Sequence, residues 1–116
     1  MSIRATAEPH ASVSLMALVR VGPPAALPPG SMLQVDTDCG VYTVCNIDGE
    51  LHAVDGICPH RGGPLAHGAL HGTTIVCPWH AWEFDCRSGE YDLDPAIRLK
   101  KHSVTIKDGI IFVDLP

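Results

Sequence analysis

Long hydrophobic runs are missing from this sequence. The main candidate near the start, Val13 to Val19, is broken by Arg20 and falls well short of the roughly 20 residues that cross a bilayer. No membrane anchor is therefore expected. A secretory leader is not expected either, because Glu8, Pro9 and His10 interrupt the succession of basic, apolar and small residues it requires. Both absences favour the cytoplasm. Basic clusters are also lacking: apart from Arg98, Lys100 and Lys101 the charges are interspersed, with a net charge of -5. That balance argues against a nucleic-acid footprint and suits basic protein partners. An even complement of cysteines is absent. Five of them cannot all pair within the chain, and two stand in spacings that read as metal ligation, which fits a reducing compartment. Aromatic residues make up only 5%, whereas glycine and proline contribute 11 and 10 residues. That composition suits short strands joined by tight turns, hence an all-β domain.

At 116 residues and 46% hydrophobic composition, one domain with a single core is expected over residues 1–116. Residues 1–12 lack periodicity and read as a loose tail, with Val13 to Val21 as the first strand. Gly22 to Gly30 contains Pro23, Pro24, Pro28 and Pro29; prolines cannot donate to a ladder, so this is a surface connection. Met32, Leu33 and Val35 begin the next strand. Val41 to Ile47 and Leu51 to Val54 then form a hairpin across Asp48-Gly49. His102 to Lys107 and Ile110 to Leu115 form another across Asp108-Gly109, with Val104, Ile106, Ile111 and Val113 available for burial. Between the hairpins, residues 55–95 are rich in Gly, Pro, Cys, His and Trp, with one short apolar run from Thr73 to Val76. Chemistry is expected there.

Two cassettes carry it. Cys58-Pro59-His60-Arg61-Gly62-Gly63-Pro64-Leu65 supplies C-x-H, and after sixteen intervening residues Cys77-Pro78-Trp79-His80 supplies C-x-x-H. Thiolate and imidazole are ligands that iron and zinc share, and each cassette offers one of each on a turn stiffened by proline. Cys58, His60, Cys77 and His80 therefore define a metal site. A structural Cys₂His₂ zinc site is the competing reading, although C-x-H is an unusual first pair for zinc fingers.

The cassettes and their surroundings, residues 55–95, closely resemble the Rieske family, in which two Cys hold one iron of a [2Fe-2S] cluster and two His hold the other. The flanking strands resemble it weakly. The resemblance implies that Cys58 and Cys77 bind the inner iron and that His60 and His80 bind the outer iron near the surface. It implies one cluster in an antiparallel β-sandwich with a small cluster-binding subdomain, about residues 55–90, inserted between the halves of the base. Two neutral imidazoles in place of two thiolates leave that iron more positive, so it accepts an electron more readily.

The departures are informative. The cytochrome-complex branch has disulfide-forming cysteines three residues after the first His and between the second Cys and His, where this chain has Gly63 and Trp79. The resemblance thus shifts to soluble, oxygenase-associated ferredoxins. The same branch has Ser and Tyr hydroxyls two and four residues after the second His, where this chain has Trp82 and Phe84. Without those donors the potential is expected near the bottom of the Rieske range, roughly -150 mV.

Other residues admit two readings. Gly62, Gly63 and Gly68 either let backbone N–H groups approach cluster sulfurs or serve ordinary turns. Trp79 and Trp82 either cover the cluster or offer a docking or electron-transfer surface. His67 and His71 could share a helix face, but Gly68 and Gly72 make exposed imidazoles in turns the better reading. Cys45 reads as a small core residue, and Cys39 and Cys86 as turn residues. Arg61 either meets a partner's carboxylate or stays solvated. Asp94-Pro95 is either a loop placed against the cluster or a routine turn.

The resemblance implies a one-electron carrier between a flavoprotein or ferredoxin reductase and a terminal oxygenase. The chain itself is not expected to be an enzyme, since an oxygenase also needs a mononuclear iron held by two His and a carboxylate in a large second domain. The alternatives are a small subunit of a nitrite-reductase-like complex and, less favoured because no output element is evident, a redox sensor.

Overall fold

The structure is a computed structural model, and it describes residues 2–5, 7–8, 17–38 and 40–115. The strands are β1 Ser2–Arg4, β2 Ala7–Glu8, β3 Ala17–Gly22, β4 Met32–Thr37, β5 Gly40–Ile47, β6 Glu50–Asp55, β7 Ala69–His71 and β8 Thr74–Val76. They continue with β9 Glu83–Asp85, β10 Glu90–Tyr91, β11 Asp94–Arg98, β12 Lys101–Lys107 and β13 Ile110–Leu115. Both expected hairpins are present. At their tips Asp48 and Gly49 have φ of 51° and 96°, and Asp108 and Gly109 have φ of 52° and 74°. Two successive left-handed residues match the twist of antiparallel strands, and Asp followed by Gly tolerates them at low cost.

The large sheet runs β1-β4-β5-β6-β12-β13-β3-β2, and the small one β11-β10-β9-β8-β7. β12 joins the two halves of the large sheet: Lys101 and His102 pair with β6, whereas Ser103 to Lys107 pair with β13. Val19, Val21, Ile111 and Val113 from one half pack with Leu33, Val35, Tyr42, Val44 and Ala53 from the other. The base is thus a sheet folded over on itself.

β5 explains how the insertion is held. Its alternate residues Tyr42 and Val44 face this core, whereas Cys45 and Ile47 enter a second core with Met32, Val54, Cys58, Leu65, Ile75, Cys77, Phe84 and Tyr91. A strand buried on both faces reads as a nearly continuous apolar run. The second core welds the small sheet to the base.

Three expectations change. Residues 1–12 are not a loose tail throughout, because β1 pairs parallel with β4 and β2 pairs with β3. Pairing satisfies open sheet edges, and Ala5 is buried with Ile3 packed alongside. The expected strand Val13 to Val21 is described from Ala17 on, its earlier residues and Cys39 lying outside the described residues. The inserted segment also extends past residue 90, because β10 and β11 complete the small sheet before β12 returns to β6. Finally, Ile106 is 55% exposed: β12 leaves β6 after His102, so its tip overhangs the core. Among the described residues no helix is long and apolar enough to cross a membrane.

Ile111→Ala should therefore cost about 2–5 kcal/mol, because Ile111 is fully buried and the change leaves a cavity. Ile106→Ala should stay within about 0.5 kcal/mol. Denaturant titrations followed by circular dichroism check the contrast, and equal effects would contradict the packing described here.

Candidate metal centre

The first ligand loop leaves β6 at Asp55 and is closed by its own backbone. The Cys58 amide donates to the Gly63 carbonyl at 2.8 Å, and the Gly62 amide donates to the Cys58 carbonyl at 2.8 Å. Gly62 has a φ of +79°, which a side chain there would resist. The second loop, between β8 and β9, is tighter. Its Cys77 amide donates to the Trp82 carbonyl at 2.8 Å, and the Trp79 amide points at Cys77 Sγ, 3.4 Å away. His80 and Ala81 have φ of 67° and 56°, a sparsely populated conformation for non-glycine residues that concentrates at functional sites.

These loops bring the expected ligands together as two pairs, His60 with His80 and Cys58 with Cys77; among the described residues no three His, Cys, Asp or Glu side chains converge as a single metal ion would require. Cys58 and Cys77 are 1% and 2% exposed, and Cys58 is near enough to act on the Cys77 thiol. The imidazoles of His60 and His80 lie outward, centroids 5.5 Å apart and planes at 74°. His60 is half-buried and His80 exposed. A gradient therefore runs from paired thiols inside to paired imidazoles at the surface.

The protonation tendencies suit metal binding. Burial above all, then the charges of Arg61 and His80, lowers the pKa of His60, favouring the neutral imidazole that a metal requires. Its Nδ1 is buried with no hydrogen-bond partner among the described residues, a costly state for an imidazole nitrogen unless it binds something. Burial raises the Cys77 pKa, and contact with Cys58 adds to this against the opposing Trp79 amide. A cation between the thiols would reverse that rise. An orphaned imidazole nitrogen and two buried neighbouring thiols are a donor set that would suit an iron–sulfur group.

The glycines divide in role. A Cβ on Gly63 would lie 2.7 Å from Cys77 Sγ, so this glycine lets the first loop approach a ligand sulfur. A Cβ on Gly68 would meet the Val76 carbonyl oxygen at 1.9 Å; its smallness serves packing between loop and strand.

Trp79 is 48% exposed beside the site. Trp82 instead stacks on His60, centroids 4.1 Å apart and planes 7° from parallel, with Tyr91 on its other face at 4.0 Å and 10°. The sequence offers no signal for Tyr91, which reaches the site through the pairing of β10 with β9. Cys86 lies in a turn after β9, as expected, yet is fully buried, and its thiol together with burial raises the Cys45 pKa. His67 and His71 are both exposed, with His67 Nε2 at 2.8 Å from Ser2 Oγ. Asp94 and Pro95 are exposed in β11, and Arg61 is exposed next to His60.

Comparison with known proteins gives matches over most of the described chain. A family model described as the Rieske [2Fe-2S] domain matches residues 17–103. The chain is 31% identical over 101 residues to the ferredoxin component of biphenyl 2,3-dioxygenase from Rhodococcus jostii, covering 86% of this chain and 94% of that one. It is 37% identical over 75 residues to a 4beta-methylsterol monooxygenase of Methylococcus capsulatus, covering 56% of this chain but spanning only 20% of that longer protein. Among solved structures, a Sphingomonas yanoikuyae B1 ferredoxin is 33% identical with a TM-score of 0.76, covering 84% of this chain and 97% of the other.

Gly63→Ala should push Cys77 Sγ off its position and reduce bound iron to less than half of the wild-type content. At Gly72, an added methyl meets nothing within 4 Å, so Gly72→Ala should keep its iron and bear only the cost of a left-handed backbone. Metal analysis of both purified variants decides; full iron in Gly63→Ala would contradict the close approach.

Proposed function

The chain belongs to the Rieske [2Fe-2S] domain family, and from that premise we propose that it is a soluble, cytoplasmic one-electron carrier between a flavoprotein or ferredoxin reductase and a terminal oxygenase. On this reading it binds one cluster, with Cys58 and Cys77 on the inner iron and His60 and His80 on the outer. The observation that carries the reading is the gradient from two buried thiols to a half-buried and an exposed imidazole. The biphenyl 2,3-dioxygenase relative, matched over nearly its whole length and termed a ferredoxin component, supports the partner class. The span of residues 1–116 is read as one Rieske domain.

When bound, the cluster supplies a site that gains and loses one electron. This chain's residues do the rest. Cys58 and Cys77 would anchor it from the core, which excludes water, and His60 and His80 would hold it from the outer side, nearer a partner's redox group. Ile57, Trp79 and Leu93 are 42%, 48% and 79% exposed, and such large apolar groups can dock a partner without a permanent interface. Zinc is the poorer occupant, because a single tetrahedral ion needs all four donors to converge on one point, whereas the ligands here are graded in two pairs from core to surface.

Purified protein should be red-brown with about two irons and two sulfides per chain, and Cys58→Ser or His60→Cys should abolish or grossly alter its electron paramagnetic resonance. Colourless, zinc-loaded protein, or spectra unchanged in both variants, would overturn the assignment.

Phe84 is fully buried in the core that contains both cysteines and carries no hydroxyl. The wild-type midpoint should accordingly be low, and Phe84→Tyr should raise it by tens of millivolts, about one modest hydrogen bond at ~60 mV per 1.4 kcal/mol for one electron. Protein-film voltammetry checks this, a wild-type midpoint above about +100 mV being incompatible with the absence of donors.

A further inference from the structure

His60 is the expected ligand whose orientation depends most on a neighbour from elsewhere in the chain. His80 sits in its own tight turn, fixed by a left-handed backbone. The His60 ring is instead matched face to face by Trp82, 4.1 Å away and 7° from parallel. Tyr91 continues the stack at 4.0 Å and 10°, and Phe84 lies behind it, 5.5 Å from Tyr91. Tyr91 is held by its strand pairing with Phe84 and is 9% exposed. Two nearly parallel contacts on opposite faces leave the indole little freedom to tilt.

Trp82 also belongs to the other ligand loop, since its carbonyl accepts the Cys77 amide at 2.8 Å. One residue thus closes the loop of Cys77 and His80 through its backbone and presses on the ligand of the opposite loop through its side chain. We propose that Trp82, backed by Tyr91, is a positioning residue: it aims Nδ1 of His60 into the cluster site and keeps water from that face of the ring. This rests on the reading of His60 as an iron ligand.

The stack also has an electrostatic sign. Two thiolates and two neutral imidazoles balance the charge of the oxidised [2Fe-2S] core, so the added electron leaves the reduced site with net negative charge. The indole presents the negative face of its quadrupole to His60, and a dry surface solvates the extra charge poorly. Both effects oppose reduction, so Trp82 holds the potential down. Removing it should favour the reduced form on both counts.

The test uses the cluster-loaded protein with Trp82→Leu, Trp82→Phe and Tyr91→Leu. Midpoints come from protein-film voltammetry, g-values of the reduced state from electron paramagnetic resonance, and melting temperatures from calorimetry. Trp82→Leu should favour reduction by about tenfold, which is ~60 mV for one electron, and shift the g-values. Trp82→Phe should restore most of both, and Tyr91→Leu should move them in the same direction by less. A lower melting temperature with wild-type midpoint and g-values would reduce the stack to packing and overturn the proposal, as would a downward shift. If Trp82→Leu does not load its cluster, Tyr91→Leu and Trp82→Phe decide, and wild-type values in Tyr91→Leu count against it. Failure of the wild-type protein to show any Rieske signal would instead refute the function on which the proposal rests.

Discussion

Cys58 and Cys77 are both buried, and burial above all, with Cys58 as neighbour, pushes the Cys77 thiol up, a cost that a cation against it would reverse. The arrangement of both loops serves to hold this pair together. Gly63 has no side chain because Cys77 Sγ occupies the space. Metal binding would turn the cost of paired sulfurs into a gain, so occupancy of the site and order of the two loops are coupled. The imidazole end carries a milder form of the same constraint, with His60 favoured neutral and its Nδ1 buried without a partner.

Holding two loops in register requires a rigid platform, which β5 supplies by burying both faces. The inserted segment is also tied where it leaves and returns. Asp55 exchanges backbone contact with Lys100, its amide donating to the Lys100 carbonyl at 3.0 Å, while its carboxylate accepts the Lys100 amide at 3.0 Å and lies 2.9 Å from His102 Nε2. His102 is itself buried and set edge-on to Tyr42. A cluster-bearing insertion pinned at both ends can present His60 and His80 to a partner without moving as a whole, which suits electron transfer with little reorganisation.

Local chemistry was the legible part of the sequence. Asp-Gly pairs between alternating strands mark both hairpins, because few other dipeptides accept two left-handed residues, and the Cys and His spacings mark candidate ligands because thiolate and imidazole are donors that iron and zinc share. What was not legible depends on contacts between residues distant in the chain. Ile106 and Ile111 look alike in an alternating pattern, yet only Ile111 has a layer above it. Ile3 and Ala5 show no period, yet two open sheet edges recruit their segment. Tyr91 carries no motif and meets Trp82 only because a small sheet aligns them, and the turn position of Cys86 gave no sign of its burial in the same core as Cys45.

The division of ligands between two irons is the claim from which the rest follows. Pulsed electron paramagnetic resonance of the reduced protein, prepared with histidine labelled by nitrogen-15, reads that division directly. Two strongly coupled histidine nitrogens should be seen, and one should vanish in a His80→Cys variant that retains a cluster. A wild-type spectrum with no strongly coupled nitrogen, as expected of an all-cysteine cluster, would contradict the account.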